Sequence, residues 1–291
     1  MRSKGAVFWY SLGLTLLLLL PMVGVTYFFV HQRQQQQELR QAAAERGGVR
    51  IEQGAQDTWH ALLVVQQEEA GFVLVRVDGP TQTVDFCALP GELQVKAPEG
   101  TTTLAECTLS AGPGRAAQLL MDTIATGETA VPELYYLAAT PDCWADCAGE
   151  DAVVRLDTAA LLTKEERESI GYGEDSVAEI SAAQAPELIA QLQSCKKTPG
   201  QRADMRAAVW EAFARQAPGL LAGMPQAWRD HSARTLTDLM ATDLAGWEAT
   251  LTYVTDQPGL KVGYSRAETQ VRGRQAVLTE EGSRTVRDLL H

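Results

Sequence analysis

The chain has 291 residues, 45% of them apolar and 21% charged, with a formal net charge of −12. This composition excludes a fibrous or disordered chain and leaves ample material for a core. The acidic balance argues against a general nucleic-acid binder, which needs a lysine and arginine excess to neutralise phosphates.

Residues 1–5 form a short tail carrying Arg2 and Lys4. Residues 6–30 hold no charge and include the run Leu16 to Leu20. A helix of about 25 residues, rising about 1.5 Å per residue, spans a bilayer with some tilt. The positive-inside rule keeps the tail in the cytoplasm and places the remainder outside the cell membrane. A cleaved signal peptide is the alternative, although the apolar run is about twice as long as a signal-peptide core. Residues 31–49 are polar and rich in glutamine (Gln32, Gln34 to Gln37) and read as a stalk ending at Gly47-Gly48. Residues 50–291 form the extracytoplasmic domain.

Short apolar runs follow. Ala61 to Val65, Phe72 to Val77 and Thr83 to Leu89 have strand length, and Asp78-Gly79-Pro80 marks a turn between the last two. The pattern predicts that those two strands are adjacent and antiparallel within a buried sheet. Ala117, Leu120, Met121 and Ile124 form a helical stripe within Gly114 to Ile124. Leu134 to Leu137 and Ala152 to Leu156 read as strands, and Thr163 with Glu166 has capping-box spacing. Ser181 to Leu192, Arg202 to Gln216 and Ser232 to Trp247 read as helices. Thr250 to Val254 and Leu260 to Tyr264 flank Pro258-Gly259 and predict a late hairpin. Glu280 to Leu290 reads as a closing helix. The expected fold is α/β, with α+β as the alternative: one domain with a central mixed sheet covered by helices.

Five cysteines and four scattered histidines exclude a disulfide scaffold and a histidine-rich metal site. Cys143 and Cys147 share one side of a helix, open to buried thiols, a disulfide or a metal pair. Cys87, Cys107 and Cys195 read as single thiols.

Four ordered segments resemble the LytR–CpsA–Psr (LCP) family of envelope proteins, whose known activity transfers glycopolymers from a polyprenyl-pyrophosphate carrier onto peptidoglycan. Glu69 to Pro80 followed by Thr83 to Val95 is similar to the family's paired strands. The closing Ser-Ile-Pro-Arg-Asp motif falls on Ala88-Leu89-Pro90-Gly91-Glu92, and the opening aspartate falls on Ala70. Thr103 to Cys107 with Gly112-Pro113-Gly114 resembles the family's second motif region, and Tyr135 to Val154 resembles its strand and glycine-rich loop. Ile180 to Ala185 followed by Arg202 to Arg206 resembles two further helices. Arg206 matches the first arginine of the last motif, whose second arginine and glutamine fall on Val209 and Trp210. Together the segments span roughly Ala61 to Gln216.

The resemblance implies Glu92 and Arg206 as catalytic groups, Arg202, Arg115 and Asp204 as binding groups, and Glu92 as the ligand of Mg2+ in an active protein. Arginine forks hold pyrophosphate, and a carboxylate-held cation neutralises the leaving phosphate. Ala70, Gly91 and Val209 remove one carboxylate and two guanidinium groups from that set. Glu68 and Glu69 offer a replacement carboxylate only through a register shift. The implied function is a degenerate binder, a pseudoenzyme, for polyprenyl-pyrophosphate-linked glycan in cell-wall polymer attachment. An active phosphotransferase and a non-enzymatic interaction protein with an envelope protein partner are the alternatives. The implied partners are the membrane and a lipid-linked glycan or cell-wall polymer.

Overall fold

Thr58–Val65, Gly71–Asp78 and Thr83–Leu89 form three consecutive strands, β1, β2 and β3, with β2 antiparallel to both neighbours. The hairpin expected around Asp78-Gly79-Pro80 is present. A side chain on Gly79 would put its Cβ 2.2 Å from the Gly54 carbonyl oxygen, so the turn needs glycine. The structure, a computed structural model, describes residues 54–67, 70–125, 133–148, 152–172, 176–194 and 197–291. The membrane segment, the stalk, Glu68, Glu69 and Cys195 lie outside the described residues. No helix among the described residues is long and apolar enough to cross a membrane.

The chain continues through β4 (Gln94–Ala97), β5 (Gly100–Thr103), α1 (Leu104–Ala111), α2 (Pro113–Ile124), β6 (Tyr135–Ala139), α3 (Pro141–Ala148) and β7 (Val153–Asp157). Then come α4 (Thr158–Leu161), α5 (Lys164–Ser169), β8 (Val177–Ser181), α6 (Ala185–Ser194), α7 (Pro199–Gln216), α8 (Pro218–Asp230) and β9 (Thr235–Thr237). The last elements are α9 (Ala241–Asp256), β10 (Lys261–Tyr264), β11 (Thr269–Arg272), β12 (Gln275–Leu278) and α10 (Glu280–Leu290).

Six strands form one mixed sheet in the order β10-β3-β2-β1-β6-β9. Its central strands are apolar on both faces because both faces are covered. Leu63, Val65, Val75 and Phe86 pack with residues of α3, α7, α8 and α9. Leu62, Val64, Leu74 and Leu89 pack with residues of α1, α2 and α10 on the other side. A smaller core joins the β7–β8 hairpin and α6 to Met205 and Val209 of α7.

Several expectations change. The helix expected over Ser232 to Trp247 gives way to the edge strand β9 and starts only at Ala241, where the Asp243 carboxylate accepts from the Met240 N–H at 3.0 Å. Thr250 to Val254 is helical, not a strand. Leu244, Trp247, Leu251 and Val254 recur at helical spacing and are buried, and this packing overrides the strand preference of the threonines and valine. Leu260 to Tyr264 is strand, but β10 pairs in parallel with β3 instead of closing a local hairpin. Of the expected helix over Ser181 to Leu192, the first residue closes β8 and helix begins at Ala185.

His60 lies on β1 and is only 6% exposed. Burial, reinforced by Arg76, lowers its pKa from 6.5 to about 4. The folded chain therefore resists a proton that the unfolded chain accepts, and stability is lost as pH falls from about 6.5 toward 4. We expect this loss to reach about 3 kcal/mol, at about 1.4 kcal/mol per pKa unit. Urea unfolding between pH 7 and pH 4 should show it in the natural chain, and His60→Gln should remove that component.

Candidate functional site

The strands β1, β3, β6 and β10 run in the same direction, so Val65, Leu89, Ala139 and Tyr264 end at one edge of the sheet. Carboxyl ends of strands are a recurrent place for ligand sites in α/β sheets. Helix α7 passes over this edge. It starts at Thr198, whose hydroxyl accepts from the Gln201 N–H while the Gln201 side chain accepts from the Thr198 N–H, and Pro199 occupies the first turn.

Arg202 and Arg206 stand four residues apart on α7 and share a face. Arg206 is only 3% exposed, and its Nη2 donates to the Leu89 carbonyl at 3.3 Å. Its Cδ and Nε lie 3.4 Å from where a Cβ on Gly71 would stand, so glycine there leaves room for the guanidinium stem. Arg202 donates from Nη1 to the Lys197 carbonyl at 2.6 Å and from Nη2 to the Glu92 carboxylate. The structure thus joins Glu92 and Arg202, 110 residues apart in sequence, with Arg206 one turn along the helix.

Asp204 accepts a hydrogen bond from the Tyr264 hydroxyl and lies 3.7 Å from the Arg266 guanidinium. Burial pushes the Asp204 carboxyl up, against the opposing pull of Tyr264 and Arg266. Burial and the bond to Asp204 push the Tyr264 phenol up as well. Arg115 stands elsewhere. It lies on α2, across the sheet from α7, and its neighbour Gly114 packs on Tyr136 near the start of β6. Its guanidinium donates to Gln118.

The position where the resemblance expects an arginine in the strand-closing motif is Gly91. A Cβ there would stand 3.0 Å from the Ala70 carbonyl oxygen and 3.3 Å from the Ala105 Cβ. The turn is also pinned, since the Ala105 N–H donates to the Gly91 carbonyl at 2.9 Å. Close packing leaves little room for a side chain at this point.

Beside Arg206 lies an apolar cavity of about 100 Å³, walled by the end of β1 and by α3, α6, α7 and α8. Val65, Trp144, Ile189, Val209, Phe213 and Met224 contribute to its wall. Trp144 is fixed by its indole N–H, which donates to the Val64 carbonyl at 3.2 Å, and by an edge-on contact with Trp210 at 5.2 Å. Neither Arg202 nor Arg206 lines the cavity. Arg206 adjoins it through Val65, 3.7 Å from the Gly71 Cβ position, and through Val209, one turn further along α7. Val209 and Trp210, which stand where the family motif has arginine and glutamine, are part of the cavity wall. Sequence reasoning missed α8, whose Leu220, Leu221 and Met224 close the cavity. The apolar spacing around Pro218 and Pro225 was the available signal.

Cys143 and Cys147 are free thiols on α3, and Cys147 faces the cavity. Burial and the neighbouring Cys143 push the Cys147 thiol up to about 12, which leaves it a poor nucleophile. Cys87 and Cys107 are buried free thiols.

A magnesium site needs carboxylate oxygens arranged around one point. Glu92 is engaged by Arg202, Asp204 by Tyr264, and Ala70 offers no side-chain oxygen. Among the described residues no group of three or more His, Cys, Asp or Glu converges. These donors do not fit the ion, and no chemical step is assigned through it.

No family model matches the sequence, and no curated protein matches it. Solved structures do match. TagT bound to LI-WTA is 15% identical, with a TM-score of 0.59 over 83% of this chain and 92% of that one. TagU from B. subtilis is 9% identical, with a TM-score of 0.52 over 81% and 97%. The putative transcriptional regulator ywtF from Bacillus subtilis is 14% identical, with a TM-score of 0.58 over 81% and 89%. TagT and TagU are LCP proteins, and the chain has an LCP-like fold.

If close packing leaves little room at Gly91, Gly91→Arg should destabilise the protein by about 1–3 kcal/mol, the usual cost of overpacking. A lowered urea midpoint with an unchanged slope would show this. An unchanged midpoint would mean that the turn can open.

Proposed function

We propose that this protein is a membrane-anchored LCP-like envelope protein that binds a polyprenyl-pyrophosphate-linked glycan during cell-wall polymer attachment and has lost turnover. The observation that carries this reading is the apolar cavity adjoining Arg206 at the strand ends of an LCP-like fold. An isoprenoid chain gains free energy in such a cavity at about 25 cal/mol per Å² buried, without any reacting group. A glycopolymer partner accords with the neighbour TagT, whose solved complex holds LI-WTA.

The loss of turnover follows from charge. Fixed cations and dipoles aimed at developing charge are usually the largest catalytic term, and one lost donor costs about 10²–10³ in rate. Gly91 and Val209 supply no guanidinium, Ala70 supplies no carboxylate, and Arg202 is already paired. The net charge of −12 adds no long-range attraction for an anion. The uncharged run at residues 6–30 holds the chain in the membrane with the domain outside. Protease added to intact protoplasts should digest the domain, whereas full protection would refute this orientation.

The direct test uses the full chain in nanodiscs with a fluorescent polyprenyl pyrophosphate and magnesium, following binding and phosphate release separately. We expect saturable binding without release above the blank, and about tenfold weaker binding after Phe213→Ala. Release that Glu92→Gln abolishes would establish an active phosphotransferase instead. Absence of binding would leave the interaction-protein reading.

A further inference from the structure

Resting on the carrier-binding reading above, we infer that Glu92 is a specificity-determining residue that occupies the anion-binding face of Arg202, so that the apolar chain and not the pyrophosphate governs affinity. An arginine fork binds a carboxylate in the same way that it binds a phosphate. Here one arm of the Arg202 fork is held by the Lys197 carbonyl and the other by the Glu92 carboxylate. A phosphate group reaching Arg202 must first displace that carboxylate.

The competitor is held in place. The Glu92 carbonyl accepts from the Ala276 N–H at 2.9 Å, and the Leu93 N–H donates to the Pro90 carbonyl at 3.0 Å, so the turn around Glu92 is tied at both sides. The Glu92 side chain itself is 35% exposed, against 18% for Arg202, and can swing into solvent. A tethered carboxylate has a high effective concentration at the guanidinium. Once displaced it still repels a phosphate. Discrimination by repulsion is a standard device of selective sites. Arg206 does not compensate, because it is buried and its Nη2 is directed at the Leu89 carbonyl.

The experiment compares farnesol, farnesyl phosphate and farnesyl pyrophosphate as competitors of a fluorescent isoprenoid on the full chain in nanodiscs, without and with magnesium. In the natural chain the pyrophosphate should bind within about threefold of farnesol. Glu92→Gln should tighten the pyrophosphate about tenfold and leave farnesol unchanged, the latter also showing that the variant is folded. Adding Arg202→Gln to Glu92→Gln should abolish that gain. If Glu92→Gln weakens the pyrophosphate, or leaves it unchanged while farnesol binds, the competitor role is overturned and the carrier-binding reading stands. If none of the three ligands binds either chain, the carrier-binding reading falls and the role of Glu92 falls with it.

Discussion

Arg206 is the constraint on which the site depends. A guanidinium that is only 3% exposed has a large desolvation cost, and its placement is tolerable because the strand ends present a carbonyl, Leu89, to receive it. Gly71 leaves the space for its stem, and Val65 stands on the same side of that glycine. The bond from Arg206 to Leu89 ties α7 to the end of β3, while Arg202 of the same helix meets Glu92 and Val209 and Phe213 wall the cavity. One buried cation thus links the sheet, the ion pair and the apolar wall.

The site has two unlike halves along one helix. Near its start α7 presents charge already satisfied inside the protein, by Lys197, Glu92 and Leu89 for the arginines and by Tyr264 for Asp204. Beyond Arg206 the face of the helix toward the cavity presents Val209, Trp210 and Phe213. The physical division along α7 is therefore between a head region whose arginines bond within the protein and an apolar face that walls the cavity.

Much of the sheet was legible in the sequence because its central strands are local and covered on both faces. Ala61 to Val65, Phe72 to Val77 and Thr83 to Leu89 carry continuous apolar runs, and the Asp78-Gly79-Pro80 turn joins two of them. What could not be read was long-range. β10 finds its partner β3 more than 170 residues earlier, so the Pro258-Gly259 turn pointed to a hairpin that the parallel pairing displaced. Thr250 to Val254 has strand composition, but the buried repeat from Leu244 to Val254 made it helix. Glu92, Arg202, Arg206 and Asp204 were named by their likeness to family motifs, and the structure places them near the strand ends that α7 crosses. Arg115 was named by the same likeness, yet α2 sits on the other side of the sheet. That Glu92 would neutralise Arg202 was not legible, since nothing local couples residues 110 apart.

The central claim is that an isoprenoid chain occupies the cavity beside Arg206. A photoactivatable isoprenoid crosslinked to the full chain in nanodiscs, with the adducts mapped by mass spectrometry, tests it most directly. The account predicts adducts on Phe213, Trp210 or Met224, reduced by competing farnesol. Adducts confined to the far end of the sheet around Thr58 and Tyr135, or insensitive to farnesol, would contradict it.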